Sequence, residues 1–108
     1  MTVRIAAVGD VHFGVESAGV LRRRLGALEE QADLFLLAGD YTMWGAATEA
    51  AVFADDIRHI ALPKFGVLGN HDFHSDEEKL VAEFLVDAGV RVLECESASI
   101  EVNGVTVG

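Results

Sequence analysis

An apolar run that ends in a glycine and then in a side chain able to ligate a metal occurs three times: Ala7-Val8-Gly9-Asp10, Leu37-Ala38-Gly39-Asp40 and Val67-Leu68-Gly69-Asn70. Gly9, Gly39 and Gly69 are equally spaced, and each interval has room for one strand, one helix and their connections. Such a repeat predicts successive βα units of a parallel sheet rather than a solenoid. The polar residue of each repeat then falls at the carboxyl end of a strand, where open α/β sheets bind ligands. His12 stands two positions after Asp10, and His71 directly follows Asn70. Asp and Asn favour the turns that leave strands. That preference explains one such residue, but not three in register with two adjoining histidines. The pattern predicts the bed of a metal site.

The intervening segments agree with this reading. Residues 3–8, 33–38 and 64–68 are short apolar runs suited to buried strands. Between them, residues 18–31 carry Leu21, Leu25 and Leu28 at helical spacing, and Arg22, Arg23 and Arg24 read as a solvated face. A second helix is expected from about Thr48, with Thr48 as cap, Glu49 in the first turn, an inner stripe of Phe53, Ile57 and Ile60, and Pro63 as its stop. For a third, Ser75 and Glu78 read as a capping box, Leu80, Val81, Phe84 and Leu85 as the apolar stripe and Gly89 as the stop. A strand at 90–93 follows. Residues 98–107 alternate about Asn103-Gly104, the signature of a hairpin with a type I′ turn. The expected class is α/β: a parallel βαβαβα arrangement plus a carboxyl-terminal β-hairpin.

Bulk properties narrow the function. The chain's 108 residues suit one domain, residues 1–108, and 51% hydrophobic with only 7% aromatic residues suits a sheet covered by helices. No apolar stretch reaches the ~20 residues of a membrane span. The opening Met1-Thr2-Val3-Arg4-Ile5 shows no signal-peptide pattern, so a cytoplasmic location is expected. The single cysteine, Cys95, excludes an internal disulfide and suits a reducing compartment. It has no partner in sequence to activate it and reads as a packed or half-exposed thiol. A net charge of −10 disfavours general nucleic-acid binding. Phosphate esters remain accessible to an acidic protein when bound metal ions supply positive charge at the site.

If the three strands are neighbours, about 4.8 Å apart, their ends bring short Asp, Asn and His side chains within reach of two ions roughly 3.5–4 Å apart. Asp40 would bridge the ions, Asp10 and His12 would hold one, and Asn70 the other. Aspartate and imidazole suit Mn, Fe or Zn. A metal-activated hydroxide would attack phosphorus in line. His71 is placed to protonate the leaving oxygen, and Asp72 either orients that imidazole or faces solvent.

Asp10-Val11-His12, Gly39-Asp40 and Gly69-Asn70-His71-Asp72 together resemble the first three signatures of the calcineurin-like metallophosphoesterases: D-x-H, G-D and G-N-H-[DE]. The resemblance implies a layered metallophosphoesterase-like fold and a dinuclear centre with Asp10, His12, Asp40 and Asn70 as ligands. It also implies Asp40 as the bridge, Asn70 and His71 at the substrate and His71 as proton donor. Members of that family continue into G-H and G-H-x-H signatures with further histidine ligands. Here the other histidines are His59, expected on a helix surface, and His74, expected on an exposed loop. The chain therefore resembles the amino-terminal half of such a domain. A phosphoesterase acting on phosphodiesters or phosphomonoesters is expected, with a catalytically incomplete binding or assembly module as the alternative. An uncovered sheet face and an unpaired strand at 105–107 would promote self-association.

Protein-phosphatase members carry an acid and an arginine soon after Gly-Asp, whereas Tyr41, Thr42, Met43 and Trp44 stand here, so a small ester is the expected substrate. Trp44 and Phe13 flank the site in sequence and read either as base-stacking residues or as packing. No G-x-S-x-G elbow, Walker A loop or G-x-G-x-x-G turn is present.

Overall fold

Apolar runs too short for helices build one parallel sheet: β1 (Ile5–Val8), β2 (Leu34–Leu37), β3 (Lys64–Gly66) and β4 (Val90–Val92), in the order β1-β2-β3-β4. These come from a computed structural model, which describes residues 2–108. Val8 pairs with Leu37, Leu37 with Gly66 and Gly66 with Val92. This single line of register makes the loops after β1, β2 and β3 leave the sheet side by side. The expected α/β class, with neighbouring parallel strands and a carboxyl-terminal hairpin, is the one observed.

Alternation along β2 divides the molecule into two faces. Phe35 and Leu37 point into a core shared with Phe53, Ile57, Val81, Leu85 and Val90, all 2% exposed or less. Side chains buried to this degree each contribute about 1.5–3 kcal/mol relative to exposure. Helices α3 (Ala47–Ile57) and α4 (Glu78–Asp87) close this face and pack against each other.

On the opposite face Leu36 and Phe65 are half-buried, while Ile5 and Val67 are exposed. The hairpin of β5 (Ile100–Val102) and β6 (Val105–Val107) lies over part of it. Its Ile100 and Val107 line an apolar groove with Leu34, Leu36 and Phe65. Thus the face expected to be bare is partly covered, and Val105–Val107 is paired, within the hairpin. Asn103 and Gly104 both have positive φ, 51° and 77°, as a type I′ turn requires.

Three local expectations differ from the structure. Residues 18–31 form two short helices, α1 (Val20–Arg24) and α2 (Leu28–Gln31), separated at Gly26, whose conformational freedom weakens a continuous helix. The start of α1 is capped from outside its own segment: Asp56 accepts from the Gly19 and Leu21 amides at 2.8 and 3.0 Å. Next, Thr48, expected as the cap, lies inside α3, whose cap residue is Ala46 with Glu49 Oε1 accepting from its amide at 3.2 Å, and the helix ends at Ile57, short of Ile60 and Pro63. Finally, α4 begins at Glu78 with Glu77 at the cap position, two residues after Ser75, whose hydroxyl donates to the Trp44 carbonyl at 2.7 Å. Gly89 ends α4 with φ of 90°, as expected.

Lys64 is an unusual interior residue. Its register with Phe35 turns the side chain to the helical face, where Nζ donates to the Ile57 and Ile60 carbonyls beyond the last turn of α3. Burial lowers its pKa from the ordinary lysine value.

Candidate metal centre

Loop 1 follows β1, loop 2 follows β2 and loop 3 follows β3, and a backbone ladder joins the first two. The Asp10 amide donates to the Gly39 carbonyl, that of His12 to Asp40, that of Phe13 to Tyr41, and that of Met43 back to Phe13. Asp10, His12 and Asp40 all have left-handed φ, 54°, 49° and 54°. Asp and His tolerate that region better than most residues, and these paired amides hold them there. Below the ladder, Tyr41 is fully buried, stacks on Phe53 at 4.9 Å and donates its hydroxyl proton to the Leu37 carbonyl at 2.7 Å. Phe13 packs edge-on against Phe53 at 5.4 Å and is a core residue rather than a stacking surface.

Loop 3 is tied to loop 2 by two carboxylates. Asp40 Oδ1 accepts from the His71 amide at 2.9 Å. Asp72 is fully buried and accepts from the Gly69 amide at 2.9 Å, the Thr42 amide at 3.0 Å and the Thr42 hydroxyl at 2.8 Å. The Tyr41 amide approaches it at 3.4 Å. Asp72 therefore neither orients His71 nor faces solvent; it clamps the two loops. The partner of the His71 ring is the Met43 carbonyl, 2.9 Å from Nδ1. A carbonyl only accepts, so Nδ1 carries a proton and Nε2 is left to ligate or to transfer one.

Ligand atoms of His12, Asp40 and His71 lie within 4.8 Å of one another. The His12 and His71 rings meet edge-on with centroids 4.2 Å apart. Asp10, largely exposed, has its carboxylate 3.9 Å from His12 Nε2. Asn70 opens the 3-10 turn Asn70–Phe73 on the same loop and is exposed. Asp40's carboxyl is held below the ordinary aspartate range, chiefly by the His71 amide and further by Asp10, His71 and His12, against the opposing effect of burial. One carboxylate and two imidazoles, with a second carboxylate, Asp10, beside them, form a donor set suited to a divalent transition metal.

Sequence reasoning separated His71 from the ligands; the structure brings it into the same cluster. His59 is exposed, as expected, but it lies in the turn beyond the end of α3 rather than on the helix. His74 is exposed too, but its ring stacks on His71 with centroids 4.8 Å apart and planes 15° from parallel. Nothing in the sequence marks the Met43 carbonyl, because any residue supplies that group.

Glycine is required where loops 2 and 3 touch. A Cβ on Gly69 would collide with the Asp40 carboxyl oxygen and backbone nitrogen, and one on Gly39 would press on Gly69. Gly69→Ala is therefore expected to displace the Asp40 carboxylate and weaken divalent-metal affinity by about 10–100-fold, the range seen when support of a ligand is lost. Calorimetry with Mn²⁺ checks this, and unchanged affinity would contradict it.

A parallel α/β sheet with acid and imidazole side chains gathered at its carboxyl ends defines a class of domain equipped to hold a divalent cation. The family model for calcineurin-like phosphoesterases matches residues 3–104, and the chain belongs to that family. It is also similar to the phosphodiesterase YaeI of Escherichia coli (strain K12), with 37% identity over 70 residues, 61% of this chain and 26% of that protein. The match thus covers about a quarter of that relative's length.

Proposed function

We propose that the chain carries the amino-terminal ligands of a metal-dependent phosphoesterase that hydrolyses phosphodiester or phosphomonoester bonds. The observation behind this reading is the convergence of His12, Asp40 and His71 at adjoining strand ends. In the proposed centre Asp10, His12, Asp40 and Asn70 would hold two divalent ions, Mn, Fe or Zn, with Asp40 at the middle of the set. Bound there, such ions supply positive charge against the phosphoryl oxygens and lower the pKa of water. His71 holds a proton on Nε2 and delivers it to the leaving oxygen, while its Nδ1–H stays on the Met43 carbonyl. Asn70, at the head of the same turn, faces the ester through its side-chain amide. Asp72 contributes by fixing the loops rather than by touching substrate.

No helix among the described residues is long and apolar enough to cross a membrane. We place the protein in the cytoplasm, where an exposed free thiol such as Cys95 stays reduced. A second reading, an assembly module, draws support from Ile5 and Val67, which are 51% and 43% exposed on the sheet face that the hairpin leaves open.

Release of p-nitrophenol from bis(p-nitrophenyl) phosphate separates the two readings. The phosphoesterase reading predicts release that requires added Mn²⁺, stops with chelator and falls about 10²–10⁴-fold in His71→Ala. Absence of release at every metal concentration would favour the module reading for this chain, and release indifferent to chelator would overturn the metal-dependent one.

A further inference from the structure

A large exposed side chain on loop 2 is an indole held in a rigid turn. Trp44 is 60% exposed, so most of its indole is open to a planar ligand. Its backbone is fixed on every side. The Trp44 amide donates to Glu49 Oε1 at 2.9 Å, and its carbonyl accepts from the Ser75 hydroxyl at 2.7 Å. The preceding residue, Met43, holds the His71 ring. The following residue, Gly45, has φ of 73° and lies so close to loop 3 that a Cβ there would strike the His71 carbonyl and the His74 amide. Exposure of the indole is therefore built into the turn and is not the product of a loose loop.

From the cluster outward the rings form a series. His12 meets His71 edge-on at 4.2 Å, His71 stacks on His74 at 4.8 Å, and His74 lies 6.4 Å from Trp44 with planes tilted by 41°. The last gap is wider than the first two. Among the described residues no other ring continues the series beyond Trp44 and His74, and both of these are exposed to a further planar group.

We propose that Trp44, with His74, forms an aromatic subsite selecting phosphate esters that carry a planar aromatic group, of which nucleoside phosphates are the biological class. This rests on the phosphoesterase reading, since the ester must reach the His12–Asp40–His71 cluster while its aromatic part lies on the rim. The surface charge favours a small ester over a polynucleotide: at −10 net charge the chain repels a long polyanion. Stacking on an aromatic side chain is tolerant of base identity, so selection is for aromaticity and not for one base.

Trp44 is the chain's single tryptophan, so its fluorescence reports on this subsite alone. The test uses the Mn²⁺-loaded chain with three probes: adenosine 5′-monophosphate, ribose 5-phosphate and adenosine. The nucleotide is expected to quench Trp44 saturably and to bind about tenfold more tightly than ribose 5-phosphate by calorimetry. In Trp44→Ala that affinity ratio falls to about one, and in Trp44→Phe most of it returns. Mn²⁺ titration and circular dichroism show that each variant is folded. A nucleotide that binds no better than ribose 5-phosphate, with no quenching and no change in Trp44→Ala, overturns the subsite and leaves the phosphoesterase reading intact. Ribose 5-phosphate that fails to bind, with the nucleotide no tighter than adenosine, overturns both.

Discussion

Asp72→Ala is expected to lower stability by about 3–5 kcal/mol, since it strands the Gly69 amide, the Thr42 amide and the Thr42 hydroxyl in a buried site. For a domain of this size that corresponds to a fall in Tm of roughly 12–24 °C. Total stability of such domains is about 5–15 kcal/mol, so the loss is a large share of it. Asp72→Asn should fall between wild type and alanine, because the amide keeps one acceptor oxygen while presenting a donor to other donors. Thermal unfolding by circular dichroism reads both. A Tm change of less than about 3 °C in the alanine variant would show that the two loops are held together by something other than this carboxylate.

The second large effect concerns binding with little change in fold. Asp40→Asn keeps an Oδ1 acceptor for the His71 amide and places in the left-handed region a residue that tolerates it. What it removes is the negative charge at the centre of the cluster. Divalent-metal affinity is expected to fall by about 100-fold or more, since even the loss of a group that merely supports a ligand costs 10–100-fold. Tm without metal should move by only a few degrees. Equal Mn²⁺ affinity in the variant and the wild type would remove Asp40 from the ligand set.

The contrast between these neighbouring carboxylates shows what could be read from the chain beforehand. Asp40 was legible because its position repeats: an apolar run, a glycine and a polar residue, in register with Asp10 and Asn70. The same periodicity foretold the parallel sheet, and Asn103-Gly104 foretold the hairpin turn. Asp72 also sits in the motif, yet its role depends on Thr42, thirty positions away in sequence, and no local pattern reveals which way a carboxylate turns.

Capping failed for a related reason. Ser75 and Glu78 have the spacing of a capping box, but the helix starts two residues later than that box requires, with Glu77 at the cap position, and the Ser75 hydroxyl is tied to the Trp44 carbonyl of another loop. Asp56 caps α1 from the last turn of α3. Tertiary partners override local signals wherever a side chain can reach either. His71 belongs to the same category, since its orientation comes from a backbone carbonyl that carries no residue-specific mark.

The most direct test of the central claim is an isothermal titration of the 108-residue chain with Mn²⁺, repeated on Asp40→Asn and His12→Ala. Saturable binding to the wild type, lost or weakened about 100-fold in each variant, is the predicted result. No heat of binding to the wild type, or the same affinity in all three proteins, would mean that the strand-end cluster is not a metal site, and the proposed chemistry would have to be sought elsewhere.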